Sequence, residues 1–84
     1  MRKILPHVDI PDSAEIVAYL NLTDADLVAV RTGDHEVLYL DGVRVPLPTG
    51  SHSASQLVIF AALTSKQARA SMILAFRRLI SAEE

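Results

Sequence analysis

The run over residues 57–63 is apolar at every position. It has neither the one-sided stripe of an amphipathic helix nor the alternation of a half-buried strand. Such a segment must be covered on all sides, either by its own fold or by another chain. A chain of 84 residues buries only about 60–65% of the surface that its unfolded form exposes, so complete cover is hard to provide alone. The run therefore predicts a buried central element or an association surface.

The composition also indicates a surplus of apolar surface. Half of the residues are apolar and 21% are charged, against an average of about 25% charged residues in soluble proteins. The length predicts a single compact domain over residues 1–84. Apolar surface that a small domain cannot bury usually marks a contact with another protein. We therefore expect a protein partner, self-association as a homodimer, or both.

Simple counts argue against several classes of protein. The chain has no cysteine, so it has no disulfide, no thiolate metal site and no cysteine nucleophile. Residues 1–7 lack the apolar core of a secretory signal, and no apolar run approaches the ~20 residues that span a bilayer. The net charge of −2 gives no support for non-specific nucleic-acid binding. We expect a cytoplasmic protein that has no membrane partner.

Three capping-box patterns predict where helices begin. In each pattern, a side chain that can accept a hydrogen bond from an orphan backbone N–H is followed three residues later by Glu or Gln. The pairs are Asp12 with Glu15, Ser53 with Gln56, and Thr64 with Gln67. The predicted helices are 13–21, 54–63 and 65–82.

A β-meander is predicted between the first two helices. Asp41-Gly42 is a two-residue signal for a type I′ hairpin. Pro46 cannot donate to a strand ladder, so the third strand should lie at a sheet edge or end there. A further short strand is considered at 8–10. The three main strands are expected over 27–31, 36–40 and 43–47.

The predicted fold is therefore α+β, with a helix, a three-stranded antiparallel β-meander, and two C-terminal helices packed on the sheet. The first two strands are apolar on both faces, so both faces need cover. Within the apolar run, we expect Leu57, Ile59, Phe60 and Leu63 to lie in the core or in a dimer contact.

The candidate interaction face combines apolar residues with the cations of the last helix. These cations suit an acidic partner or phosphates. A solvated helix face, in which Arg77 and Arg78 oppose the helix macrodipole, is the simpler interpretation of the same residues. The candidate face comprises Leu57, Phe60, Leu74, Lys66, Arg69, Arg77 and Arg78.

No catalytic, metal or cofactor site is predicted. His7, His35 and His52 lack the spacing of metal ligands, and the glycines form no phosphate loop. A chain this short, without a nucleophile elbow, has little scaffold for an enzyme. The leading hypothesis is a small non-catalytic intracellular regulatory or inhibitor protein that acts by protein–protein binding, as a homodimer.

One part of the chain has the order of elements seen in a known family. The stretch 36–47, followed by 53–63, carries a strand, an Asp-Gly turn, a strand that ends in Val-Pro-Leu, and an apolar helix. It resembles the hairpin and first helix of the winged-helix effector domains of response regulators, over about a third of the chain. That family continues with two more helices and a wing hairpin. The roughly twenty residues that remain here leave no room for the wing, so no DNA-contacting residue is carried across.

The resemblance implies DNA binding and supplies the alternative hypothesis. In that alternative, the chain is a small dimeric DNA-binding transcription regulator with a winged-helix-like or helix-turn-helix-like element, and it contacts DNA with the 65–78 face. The predicted helices 54–63 and 65–82 would form the pair. Their junction is shorter than the turn of about 3–4 residues, often with Gly, that a helix-turn-helix uses.

Overall fold

The computed structural model describes residues 14–22, 25–47 and 53–83, which form a four-stranded sheet followed by two helices. The strands pair antiparallel in the order β1-β2-β3-β4. The α+β class, the antiparallel sheet and the two C-terminal helices are thus confirmed. The elements are β1 Glu15–Asn21, β2 Asp26–Thr32, β3 His35–Leu40, β4 Val43–Val45, α1 Ala54–Leu63 and α2 Lys66–Glu83.

The predicted hairpin turn and strand end are both present. Asp41 and Gly42 have φ angles of 52° and 84°, the two positive values that a type I′ turn requires. The turn is held to β2 by two bonds of 2.9 Å, one from the Asp26 N–H to Asp41 Oδ1 and one from the Asp41 N–H to the Asp26 carbonyl. β4 ends at Val45, directly before Pro46, and lies at the edge of the sheet.

The predicted first helix, 13–21, is wrong, because its residues form strand β1. β1 pairs with β2 along its length, from Glu15 opposite Arg31 to Asn21 opposite Asp26, with one irregularity in register. The segment is rich in β-branched and aromatic residues, which fit a pleated surface. Ladder hydrogen bonds to β2 therefore outweigh the capping pattern. Asp12, the proposed cap, and the short strand considered at 8–10 lie outside the described residues.

The core lies between the sheet and both helices. Directly opposed residues share a sheet face, so the register places Leu27, Leu38 and Leu40 on the side that α1 and α2 cover. Val28 and Val30 point to the opposite face and are also buried, which confirms that β2 is covered on both sides. The cluster on the helix side comprises Ala25, Leu27, Ala29, Leu38, Leu40, Val45, Ala54, Val58, Ala61 and Phe76.

The two helix starts differ in how well their caps were predicted. The Ser53 hydroxyl accepts from the Gln56 N–H at 3.4 Å, and α1 has the predicted bounds. Thr64 is not the cap of α2. It is the C-cap of α1, with extended backbone, and the Ser65 hydroxyl instead accepts from the Ala68 N–H at 3.1 Å. Because Thr64 is used to end α1, the cap of α2 is the following residue, Ser65, one position later than predicted.

Neither helix in the described part of the chain combines the length and the apolar content needed to cross a membrane.

The two phenylalanines provide a test of this packing. Phe76 on α2 is 6% exposed and belongs to the core, whereas Phe60 on α1 is 57% exposed. We expect Phe76→Leu to lower the free energy of unfolding by about 1–2 kcal/mol, because it leaves unfilled volume in the core. The same change at Phe60 should stay within about 0.5 kcal/mol. Urea unfolding at low protein concentration measures both, and an equal or larger loss at Phe60 would contradict the placement of these helices.

Candidate functional site

Helix α1 buries two alanines and a valine on one side and exposes three larger apolar residues on the other. Ala54, Val58 and Ala61 are buried against the sheet. On the opposite side, the exposed fractions are 52% for Ile59, 57% for Phe60 and 81% for Leu63. These three positions fall on one side of a helix, and we call them the α1 apolar face. They do not lie in the core of this chain, which was one of the two predicted alternatives.

The remaining predicted core residue of the apolar run behaves differently. Leu57 is half-buried and packs against the core cluster. Helix α1 has no charged residue in its sequence, so its exposed side is apolar without a charged rim of its own. In the structure, one side of the uniformly apolar run packs against the sheet and the other side is exposed.

A carboxylate from the sheet fixes the N-terminus of α1. Glu36 Oε1 accepts from the backbone N–H of Ser55 at 2.9 Å and from its hydroxyl at 2.8 Å. Glu36 Oε2 accepts from Arg31 Nη2 at 3.1 Å. The bonds from Ser55, followed by the guanidinium of Arg31, hold the pKa of the Glu36 carboxyl below its usual value of 4.5, although partial burial opposes this shift. An anion at a helix N-terminus also meets the positive end of the helix dipole.

Arg31 links three strands beside this contact. Its guanidinium lies 3.1 Å from a Glu36 oxygen and 3.4 Å from Glu15 Oε2. The three residues face one another in the register of β1, β2 and β3, so they form a cross-strand row at one end of the sheet. The Arg31 and Glu15 side chains are exposed, so their ion pair contributes little stability. The row orients Glu36 toward α1.

A groove lies between α2 and the β1–β2 loop, with a volume of about 480 Å³. Its apolar lining comes from both sides, with Leu22 and Ala25 on the loop and alanine, isoleucine and leucine on the helix. Three cations of α2 also line it. We call this feature the α2 groove, and its described lining residues are Leu22, Ala25, Lys66, Arg69, Ala70, Ile73, Leu74 and Arg77.

Two of these cations already have partners within the chain. Arg69 Nη1 donates to the carbonyl of Ala61 at 3.1 Å and so satisfies a free carbonyl near the end of α1. Arg77 Nη2 lies 3.3 Å from Asp41 Oδ2, at the tip of the β3–β4 hairpin. Lys66 is exposed and makes no ion pair within the described residues.

The predicted interaction face therefore falls into separate places. Lys66, Arg69, Leu74 and Arg77 come together in the α2 groove. Phe60 belongs to the α1 apolar face. Leu57 lies on the same helix but is half-buried against the core, and Arg78 is exposed but is not among the described lining residues of the groove.

Sequence reasoning missed the two loop residues of the groove. Leu22 and Ala25 reach it because β1 pairs with β2, and the segment before them was predicted as a helix. Ile59 and Leu63 were named for the core or a dimer contact, not for the candidate face. Their exposed position follows from which side of α1 is seated, which an apolar run alone does not encode.

Among the described residues, no group of three or more His, Cys, Asp or Glu side chains could hold a metal ion. Comparison of the chain with protein-family models, with curated proteins and with solved structures gave no match. The α1 apolar face and the α2 groove are the two candidate interaction surfaces in the described part of the chain.

The bonds at Glu36 predict a pH-dependent stability. Because the pKa is lowered in the folded state, the carboxylate stabilises the fold above pH 4.5 and loses this effect as the pH falls through the folded pKa. We expect Glu36→Gln to lower the free energy of unfolding at neutral pH by about 1 kcal/mol. The wild type should also lose stability more steeply than this variant below pH 4.5.

Urea unfolding at a series of pH values measures both effects. Glu15→Gln is the matched control, because Glu15 contacts the same Arg31 but not α1. Parallel pH profiles for the wild type and Glu36→Gln would contradict this role of Glu36.

Proposed function

We propose that this chain is a small non-catalytic intracellular regulatory or inhibitor protein that acts by protein–protein binding and self-associates as a homodimer through the α1 apolar face. The observation that supports this proposal is the outward position of Ile59, Phe60 and Leu63 on one short helix. Large apolar side chains that lie next to one another on an exposed surface often mark a site of contact with another protein.

A second copy is the occupant that best fits this face. In a symmetric dimer the same patch lies on both sides of the contact, so charges of a single sign on it would be brought close to charges of the same sign. Helix α1 has no charged side chain, and its polar residues are serine and glutamine. Two such helices can therefore pack without placing like charges together. Leu63 has the largest exposed fraction of the three side chains, so the contact can bury the largest fraction of its surface.

The apolar lining of the α2 groove supports protein binding over the DNA alternative. Arg69 donates to the α1 carbonyl of Ala61 and Arg77 is paired with Asp41, but each guanidinium keeps further donors, so the cations alone suit a phosphate or a carboxylate. The apolar side chains between them offer nothing to a phosphate backbone. The DNA alternative requires salt-sensitive binding to a random duplex at about 50 mM salt, which Lys66→Ala would weaken.

Sedimentation equilibrium at micromolar concentration tests the self-association. We expect the wild type to sediment at twice the 9.2 kDa mass of the chain. Leu63→Asp should sediment as the monomer, because the contact would bury a carboxylate from each copy against the other. Leu74→Asp is the control, since Leu74 is similarly apolar and half exposed but lies in the α2 groove.

A wild type that sediments as a 9.2 kDa monomer would overturn the dimer proposal. So would a Leu74→Asp variant that dissociates while Leu63→Asp does not. Circular dichroism of each variant separates dissociation from unfolding.

A further inference from the structure

The α2 groove has the layout of a recognition site for a helix. Its lining follows one side of α2, at positions 66, 69, 70, 73, 74 and 77, a spacing that covers three helical turns. From Lys66 to Arg77 this side is about 16 Å long. The β1–β2 loop supplies the opposing wall through Leu22 and Ala25. This side of α2 is thus long enough to contact about three turns of a second helix.

The charged residues in the described lining of this groove all carry positive charge. Lys66 and Arg69 lie near the start of α2, Arg77 lies toward the other end, and the described lining includes no acidic residue. Arg69 uses one N–H for Ala61 and Arg77 uses one for Asp41, and a guanidinium carries five donors. Each arginine therefore keeps donors for another carboxylate. Lys66 has no ion-pair partner among the described residues.

Cations that flank an apolar floor select between classes of ligand. A nucleic-acid backbone would satisfy the cations but would leave Ile73 and Leu74 against phosphate and sugar. An apolar helix without charge would fill the floor but leave the cations without partners. A helix that has apolar side chains on one face and acidic side chains beside them satisfies both requirements, as in other helix-in-groove complexes.

We propose that the α2 groove binds an acidic amphipathic helix of a partner protein, with its apolar face against Ala70, Ile73 and Leu74 and its carboxylates paired with Lys66, Arg69 and Arg77. This rests on the proposed function only in that the partner is a protein. The groove has no α1 residue in its described lining, so the binding does not require the dimer contact.

A labelled synthetic peptide provides the probe. It is a helix of about twelve residues, the length of the groove, with Leu on one face and Glu on both flanks. We expect binding by fluorescence anisotropy that weakens as salt is raised. Lys66→Glu combined with Arg77→Glu should weaken it by about tenfold or more. Arg78→Glu is the matched control, since Arg78 has the same charge on the same helix outside the groove, and it should change the affinity by no more than about twofold.

A second pair of variants tests the groove without altering charge. Ala70→Phe fills the groove and should also weaken binding by about tenfold, whereas Ala75→Phe places the same ring at an exposed α2 position that does not line it. If the double charge reversal fails to fold, this pair and the single change Lys66→Glu still decide the question.

Several results would overturn the proposal. The first is a lack of peptide binding, and the second is equal binding of a peptide that has Lys in place of Glu. The third is a loss of affinity in Arg78→Glu equal to that in the double charge reversal. The fourth is displacement of the labelled peptide by a random DNA duplex, or by the fatty acid laurate, at a lower concentration than the unlabelled peptide requires. Leu63→Asp keeps the two proposals apart. If this variant is monomeric and still binds the peptide, both the dimer proposal and the groove proposal are supported. If the wild type is itself monomeric and binds the peptide, only the groove proposal is supported.

Discussion

The structure depends on strand β2, in which four consecutive residues, from Leu27 to Val30, are buried. A strand that is apolar on both faces needs cover on each face and a paired strand on each edge. β3 pairs with one edge through the hairpin that follows β2 in the chain. The other edge needs a partner, and the residues before β2 provide it as β1. Both helices then pack on one face of the resulting sheet.

The elements that depend on neighbouring residues were predicted well. The Asp41-Gly42 turn needs only two residues that tolerate positive φ, and the end of β4 needs only the missing N–H of Pro46. The start of α1 follows from its Ser53 cap. β1 was missed because its local capping pattern favours a helix, and its strand state comes from pairing with β2. The β-branched and aromatic residues of β1 are compatible with a strand, but the pairing that decides its state is a property of the whole sheet.

The candidate surfaces were predictable in composition but not in arrangement. Helical spacing identifies the cations of α2, yet it does not show that Arg77 lines a groove while its neighbour Arg78, about 100° around the helix, does not. That difference depends on where the β1–β2 loop packs. The apolar run likewise did not reveal which side of α1 faces the sheet, because hydrophobicity is equal on both sides. The decisive property is side-chain size.

The small residues under α1 have a consequence for how its outer face can be hidden. Ala54 and Ala61 are buried against the sheet, so much of the side of the helix that faces the sheet carries only methyl groups. Rolling α1 about its axis to turn Phe60 inward would force a phenyl ring into room that now holds methyl groups. Overpacking of this kind costs about 1–3 kcal/mol and displaces the sheet. This cost disfavours rotation of α1, so the packing of its small residues on the sheet favours exposure of Ile59, Phe60 and Leu63 in the monomer.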